Sequence, residues 1–304
     1  MKIYIKEHLH DAGKWIYAGY TSAWSKAGFE VERYRDLGSI NRDTDYYIMA
    51  TDADVSLETL PILEGAEATY MFVQPTTFPG HWGRHPNFIS HCDPETRKHL
   101  NDMDNVYKWT FSDLNKHYNE WKNVKTMPLA YDTINYKPMS NEVETIPGGY
   151  PPGFDVCFIG GVADNGFNEK HQIMLDHLSI FNGRGLKCGF FVNSGLAHWQ
   201  ENMVLYNSKI AINIHDAYQR QLGFDTNERT FKSLGLTGCL ISDKVAQLEN
   251  LFPDVPTASS PEEMLQLTTE WVNKDLSEIK ERNREYVSKR HSYIARVESM
   301  LEKW

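Results

Sequence analysis

The sequence predicts an α/β protein built from two doubly wound domains that face each other across a cleft. Its 304 residues suffice for two domains of about 150 residues each. Short apolar strand patterns alternate with amphipathic helix patterns through both halves, an order typical of parallel sheets covered by helices on both faces. A polar stretch rich in proline and glycine separates the halves, as an interdomain connection does.

The first half opens with a buried strand, KIYIKE, and a helix that we expect to end at Gly28. Glycine suits that position because it adopts a positive φ without steric cost. In chain order, the further predicted strands are FEVERY, DYYIMAT, TYMFVQP, NFISH and NVYKWT. Residues 1–138 are therefore the first predicted domain.

The strand and helix pattern restarts after the connection, which covers residues 139–153. FDVCFIGG is typical of a buried strand that ends on two glycines. Three more strand patterns follow, in KCGFFV, KIAINIH and CLISD, with helix patterns between them. We take residues 154–276 as the second domain. The tail, residues 277–304, is predicted to be helical with a charged outer face.

Composition is that of an ordinary soluble globular protein, with 41% hydrophobic and 24% charged residues. No apolar run reaches the length of about 18 residues that a membrane span needs, and no signal-peptide pattern follows the N-terminus. We therefore expect no membrane span and a cytoplasmic location. The four cysteines include no C-x-x-C pair and indicate neither a zinc site nor a disulfide framework. The net charge of −10 counts against nucleic acid as a partner, although a local basic groove would be compatible with one.

The segment TNERTFKSLGLTGCLISD, residues 226–243, joins a polar helix start to a buried strand. Asp225 and Glu228 have the spacing of a capping box, which makes Asp225 the expected N-cap. Either Gly235 or Gly238 is expected to end the helix.

The start of this helix is a candidate anion site. In open α/β sheets, ligands bind outside the carboxyl ends of the strands, against helix N-termini whose N–H groups suit phosphate. Arg229 lies in the first turn and would add a planar set of donors that fits a diphosphate. The alternative is a surface helix whose polar start serves only for capping.

The second half has the motifs INIH, RTFK, CLISD, QLENLF and HSYIAR in that order. This series resembles the spore-maturation-type (CgeB-like) glycosyltransferases of the GT-B fold. In that group, a strand ending in N-x-H precedes an R-x-F-E segment, and a strand, a helix and a final H-[ST]-[YW]-x-x-R helix follow. MPLAYDTINYKP is similar to the segment that joins the two domains of those enzymes. The resemblance covers the second half by motif and the first half only by topology.

The resemblance implies two Rossmann-like domains, with an acceptor on the N-terminal one and a nucleotide-diphosphate sugar on the C-terminal one. It implies a nucleotide-sugar-dependent transferase that acts on the hydroxyl of a carbohydrate or another acceptor, without a metal ion or further cofactor. The closing helix, residues 277–303, would cross back to the first domain. The donor-binding residues that it indicates are Gly160 and Gly161 near the phosphates, Ile214 and His215 near the base or ribose, and Arg229 with the backbone from Asn227 to Thr230 at the diphosphate.

One residue departs from the family pattern. Where the family has a glutamate that accepts hydrogen bonds from the ribose hydroxyls, this chain has Lys232, and an ammonium group cannot accept a hydrogen bond. Glu228 lies one turn earlier on the same helix face and could make that contact instead. The alternative is that Glu228 and Lys232 form only an ion pair on the helix surface. Because of this difference, a further alternative is that the protein binds the nucleotide sugar without catalysing a reaction.

Glycosyl transfer also needs a group that removes the proton of the acceptor hydroxyl or contacts the transferred sugar. Two clusters follow predicted strands of the first half, KEHLHD with Asp11 and PTTFPGHWGRH with His81. Asp11 and His81 are therefore the catalytic candidates. The alternative is that the histidines of these clusters have only structural roles. Trp15 and Trp82 lie beside them and could stack on a sugar or belong to the core.

Other site types fit the sequence less well. His81 and His85 have metal-pair spacing, but the prolines and glycines around them disfavour a helix, and Asp52-Ala53-Asp54 is typical of a loop. FIGGVADNGF lacks the G-x-G-x-x-G spacing of a nicotinamide site. A sugar-nucleotide epimerase on the same fold, and a virus-type enzyme that glycosylates DNA bases, are the remaining alternatives.

Overall fold

The computed structural model describes residues 1–8, 11–73, 92–113, 120–138, 153–162 and 169–303, with only the backbone for residues 11 and 12. The chain divides into two compact units, Met1–Pro128 together with Tyr293–Trp304, and Leu129–Ser292. Nearly all of the predicted connection, residues 139–153, falls outside the described part of the chain, so its role stays a prediction. Within the described ranges, no helix is long and apolar enough to cross a membrane.

The first unit is built on a six-stranded parallel sheet with the strand order β2-β1-β3-β4-β5-β6. Its strands are β1 (Lys2–Lys6), β2 (Glu30–Tyr34), β3 (Tyr46–Thr51), β4 (Ala68–Phe72), β5 (Val106–Thr110) and β6 (Lys125–Thr126), and its helices are α1 (Asp11–Lys26), α2 (Leu60–Glu64), α3 (Pro94–Asp102) and α11 (Tyr293–Leu301). Five of the six strands predicted in the first half are confirmed, and NFISH lies outside the described residues.

Aromatic side chains fill the core between α1 and this sheet. Trp24 of α1 is fully buried, and its ring centroid lies 5.5 Å from that of Tyr70 on β4. Helix α1 ends as predicted, with Gly28 at a φ of +90° just beyond it. Gly19 lets α1 approach α11 closely, because a Cβ at that position would lie 2.3 Å from the ring of Tyr293.

The second unit is built on a five-stranded parallel sheet with the order β11-β10-β9-β7-β8. Its strands are β7 (Val156–Gly160), β8 (Cys188–Val192), β9 (Ile210–Asn213), β10 (Leu240–Asp243) and β11 (Thr257–Ala258). Its helices are α4 (Lys170–Ser179), α5 (His198–Asn207), α6 (Ala217–Leu222), α7 (Glu228–Leu236), α8 (Ala246–Leu251), α9 (Pro261–Trp271) and α10 (Ser277–Arg290). The four strands predicted in the second half are confirmed.

The closing region forms two helices where the sequence predicts one over residues 277–303. Helix α10 packs on α7 in the second unit, and α11 packs on α1 in the first. The break falls at His291 and Ser292, because their backbone pairs with Tyr131: the Tyr131 N–H donates to His291 O at 2.7 Å, and Tyr131 and Ser292 form a parallel bridge. Backbone groups that pair with another segment cannot continue the helix.

Candidate functional site

The carboxyl edge of the second sheet has a topological switch point between β7 and β9. Strand β8 pairs with β7 on one side, and the chain then crosses to place β9 on the other side of β7. Ligands of open α/β sheets bind where the strand order reverses in this way, outside the carboxyl ends of the strands. Gly160 ends β7 and Asn213 ends β9, so both residues lie at this point.

Helix α7 begins two residues later than the sequence predicts. Asn227, not Asp225, is the N-cap, and its side chain accepts a hydrogen bond from the Thr230 N–H at 3.3 Å. Asp225 instead accepts a hydrogen bond from Gln219 Nε2 at 2.7 Å. Because the helix begins at Glu228 with Asn227 as its cap, the predicted N-cap at Asp225 is wrong. The end of the helix is as predicted, because Gly238 follows it with a φ of +76°.

The guanidinium of Arg229 spans the switch point. Its Nε donates to Ile159 O at 2.8 Å, and its Nη1 donates to Asn213 Oδ1 at 3.0 Å and to Ile214 O at 3.2 Å. The group also lies over the ring of Phe158, 4.8 Å from the centroid. Within the described residues its Nη2 has no hydrogen-bond partner. Arg229 is therefore held rigidly by both strands and keeps two N–H donors for a ligand.

Gly160 makes room for this arginine. A Cβ on Gly160 would lie 2.5 Å from Arg229 Nη2 and 2.9 Å from its Cζ, well inside van der Waals contact. At Gly161 the same added atom would meet only Asn193 Oδ1, at 3.4 Å. Of the two glycines that the sequence singles out, Gly160 is thus the one whose missing side chain the site requires.

Lys170, which the sequence did not single out, brings a second cation to the same edge. Its buried Nζ donates to Ile214 O, the carbonyl that Arg229 also uses, and forms an ion pair with Asp216 Oδ1 at 3.1 Å. Burial lowers the pKa of Lys170 to about 8, and the charge of Arg229 contributes to the shift. The only signal in the sequence is a lysine at the start of the helix after FIGG.

A cleft of about 170 Å³ opens beside the ends of β7 and β8. The side chain of Asn193, just after β8, binds both backbone groups of Val162, accepting from its N–H at 2.9 Å and donating to its carbonyl at 3.2 Å. This pair of bonds holds the loop after β7 against the loop after β8. The residues that line the cleft are Ile159, Gly160, Gly161, Phe191, Asn193, Ser194, Gly195, Leu196 and Glu201.

Lys232 is paired with Glu201 of α5, another residue that the sequence did not single out. The Lys232 Nζ lies 2.5 Å from Glu201 Oε1, and each side chain is only 12% exposed. The same Nζ lies 4.9 Å from the ring centroid of Tyr136. The hydrogen-bonded partner is therefore Glu201, whereas Glu228 acts on Lys232 through its nearby charge. Burial raises the pKa of the Glu228 carboxyl group. An acid from a distant segment thus lies beside the lysine at the position where the enzymes that the sequence resembles have a glutamate.

The side chains of Ile214 and His215 face inward. Both residues are fully buried, and the imidazole contacts Asp243 Oδ1 at 2.6 Å through Nδ1 and Thr226 Oγ1 at 2.8 Å through Nε2. Thr230 is also fully buried. A contact of Ile214 or His215 with a base or ribose would therefore involve their backbone, and the placement of both residues near the nucleotide stays a prediction.

The structure tests neither of the two catalytic candidates of the first half. His81, with Trp82 and His85, lies outside the described residues, and Asp11 begins α1 but is described only by its backbone. Their roles stay predictions. The Asp52–Asp54 stretch forms a 3₁₀ turn in which Asp54 pairs with Lys6 at 2.5 Å. Across the described ranges, no three His, Cys, Asp or Glu residues come together as a metal site would require.

Comparison with known proteins relates this architecture to glycosyltransferases. Residues 191–302 match the family model described as glycosyl transferase-like. The comparison with curated proteins finds no match.

Two solved structures are similar over nearly their whole length. The T4 phage protein BGT in complex with its UDP-glucose substrate superposes with a TM-score of 0.54 and 10% identity, over 100% of this chain and 99% of that chain. AviGT4, a glycosyltransferase involved in avilamycin A biosynthesis, superposes with a TM-score of 0.58 and 10% identity, over 99% and 96%. The predicted fold class, two Rossmann-like domains in the GT-B arrangement of elements, is thereby confirmed.

Proposed function

We propose that the protein is a glycosyltransferase whose donor is a nucleoside diphosphate sugar, and that the diphosphate of this donor binds at Arg229. The match of residues 191–302 to a glycosyltransferase-like family model and the GT-B fold of the chain support the proposal. The observation that carries the proposal is the guanidinium at the switch point, held by three protein acceptors and still offering Nη2. UDP is the first nucleotide to test, because the T4 phage structure holds UDP-glucose.

Three sources of positive potential support a diphosphate at this place. Arg229 offers the planar donor set that phosphate oxygens accept in pairs. Lys170 lies close by, since both side chains donate to Ile214 O. The first turn of α7 adds its unpaired N–H groups. Charge-assisted hydrogen bonds of this kind are about twice as strong as neutral ones.

We further propose that donor binding requires no divalent metal, since these cations can neutralise the diphosphate themselves. The acceptor is a hydroxyl of a carbohydrate or another molecule, and either His81 or Asp11 removes its proton. The motif order of the second half supports membership of the spore-maturation-type group. Nucleic acid as the acceptor is disfavoured by the net charge of −10, and a cytoplasmic location stays a prediction.

Isothermal titration with UDP, with and without EDTA, tests the donor site. Arg229→Ala should weaken UDP binding by about 10- to 150-fold, as the loss of a charged hydrogen bond of about 1.5–3 kcal/mol does. The matched control is Arg284→Ala on α10. Arg284 also donates to backbone carbonyls, Leu236 O at 2.7 Å and Thr237 O at 3.2 Å, and also lies over a ring, 4.4 Å from the centroid of Tyr206.

Both variants should lower the melting temperature, and only Arg229→Ala should lower affinity. Equal affinities in the two variants would place the diphosphate elsewhere, and binding abolished by EDTA would contradict the metal-free proposal. Turnover of a UDP-sugar that needs no added acceptor would favour the epimerase alternative. If none of UDP, GDP, ADP, CDP and TDP raises the melting temperature or gives a heat of binding, a module that has lost its ligand would be favoured.

A further inference from the structure

Five hydrogen bonds link Arg229 to the end of β10 through buried side chains. They join Arg229 Nη1 to Asn213 Oδ1 at 3.0 Å, Asn213 Nδ2 to Thr230 Oγ1 at 2.9 Å, Thr230 Oγ1 to Thr226 Oγ1 at 2.6 Å, Thr226 Oγ1 to His215 Nε2 at 2.8 Å, and His215 Nδ1 to Asp243 Oδ1 at 2.6 Å. We call these six side chains the polar relay. It crosses β9, the start of α7 and β10 without leaving the second unit.

The chemistry of its two ends gives the relay one direction. At one end the Asp243 carboxylate can only accept, so His215 Nδ1 donates to it and His215 Nε2 must accept. Thr226 then donates its only hydroxyl hydrogen to Nε2 and can accept only from Thr230. Thr230 in turn donates to Thr226 and accepts from the Asn213 amide nitrogen.

The amide oxygen of Asn213 is therefore left to face Arg229, which can only donate. Asn213 Nδ2 also lies 3.3 Å from His215 Nε2, a longer contact that shares the one lone pair of this nitrogen with Thr226. An amide rotated by half a turn would point its two N–H donors at the guanidinium and its oxygen at a hydroxyl and a ring nitrogen. The second orientation loses the bonds to Arg229 and His215, and its oxygen could accept from Thr230 only if Thr230 gave up its bond to Thr226, so the relay favours the first.

Burial makes this order strict. Asn213, His215, Thr230 and Asp243 are 0% exposed and Thr226 is 1% exposed, so water cannot replace a missing partner. Burial lowers the pKa of His215, which favours the neutral ring. Burial alone would raise the pKa of Asp243, but its interactions with His215 and with Arg220 hold that pKa below its usual value.

We infer that the polar relay positions Arg229 for the donor diphosphate, so that Asn213, Thr230, Thr226, His215 and Asp243 are positioning residues of the nucleotide-sugar site. The inference rests on the proposed function, because it assumes that Arg229 meets the diphosphate. It also assigns a role to the N-x-H motif: the asparagine and histidine of INIH act through Arg229, behind the ligand site.

Thr230→Val tests the inference, because it keeps the shape of the side chain and removes the central hydroxyl. UDP should bind about tenfold more weakly to this variant, since Asn213 loses the partner that orients its amide. Thr230→Ser restores the hydroxyl and should restore affinity to within about twofold of wild type. Thr268→Val is the matched control: its buried hydroxyl donates to Met264 O at 2.7 Å within α9, outside the relay.

Thr230→Val and Thr268→Val should both lower the melting temperature, whereas only Thr230→Val should raise the dissociation constant for UDP. If Thr230→Val folds and binds UDP as tightly as wild type while Arg229→Ala binds it more weakly, the positioning role of the relay is wrong and the proposed donor site remains supported. If the wild-type protein does not bind UDP, or Arg229→Ala binds it as well as wild type, the proposed donor site falls and the relay with it. Should Thr230→Val not fold, Thr226→Val breaks the adjacent bond, and the same comparison decides.

Discussion

A single methyl group at Gly160 should disable the donor site without removing any group that makes a hydrogen bond. Gly160→Ala would place its Cβ 2.5 Å from Arg229 Nη2, 2.9 Å from Arg229 Cζ and 2.9 Å from the ring of Phe158. Carbon atoms in contact normally lie about 3.5–4.0 Å apart. The guanidinium must therefore move by about 1 Å to reach that spacing.

The three hydrogen bonds of Arg229 set the size of the effect. They run to Ile159, Asn213 and Ile214 at 2.8–3.2 Å, so a shift of that size lengthens at least one beyond bonding distance. Overpacking of this kind costs about 1–3 kcal/mol of folding stability. If the displaced Nη2 also loses a phosphate oxygen, UDP affinity should fall about 10- to 150-fold, the equivalent of one charged hydrogen bond.

Isothermal titration of UDP against Gly160→Ala and Gly189→Ala separates the two effects. Gly189 lies in β8 of the same sheet, and its added Cβ would meet the ring of Phe154 at 2.7 Å, a similar clash away from Arg229. Both variants should lose stability in urea unfolding, and only Gly160→Ala should lose affinity. Equal UDP affinity in the two variants would refute the placement of a phosphate beside Gly160.

Two further predictions concern charged groups at the site. Because the pKa of Lys170 is lowered from 10.5 to about 8, the unfolded chain holds this proton more tightly. Its contribution to folding stability should therefore rise from pH 8 towards pH 10. Over the same range the affinity for UDP, measured by titration calorimetry, should fall because the lysine loses its charge. Both trends should be absent in Lys170→Met, and an affinity of the wild-type protein that does not change with pH would contradict the role of Lys170. Lys232→Met removes the ion-pair partner of Glu201, whose side chain is 12% exposed, and should lower the free energy of unfolding in urea by up to about 3–5 kcal/mol. Adding Glu201→Gln should recover most of that loss, and a double variant no more stable than Lys232→Met would show that the pair is not coupled.

Local patterns account for much of the second unit. Alternating apolar stretches predicted β7, β8, β9 and β10, because a buried strand needs apolar side chains over only four to six residues. The end of α7 at Gly238 was likewise readable, since few residues other than glycine adopt the positive φ found there. The place of Arg229 in the first turn of a helix beside a strand end was also readable from the sequence.

Partners brought from distant parts of the chain could not be predicted in the same way. Asp225 has the spacing of a capping box, yet Gln219 of α6 takes its carboxylate, and Asn227 caps the helix instead. The sequence likewise suggested Glu228 as the neighbour of Lys232, because those residues are one turn apart, whereas α5 supplies Glu201 from 31 residues away. A local motif predicts which hydrogen bonds and ion pairs a side chain can form. It does not predict which partner from another segment will lie close enough to form them instead.

The sequence by itself determined that this chain forms two α/β units, and that an arginine begins a helix beside the strands of the second. Those features depend on the spacing of apolar residues, the positions of glycines and the residues at helix ends, all of which act over a few residues. Only the tertiary structure decided what Arg229 contacts, which cation joins it, and that His215 turns inward to Asp243. These contacts depend on the order β10-β9-β7, which brings residues 159, 213 and 243 to one edge. Strand order is set by the packing of the whole unit, so no single segment of the sequence encodes it.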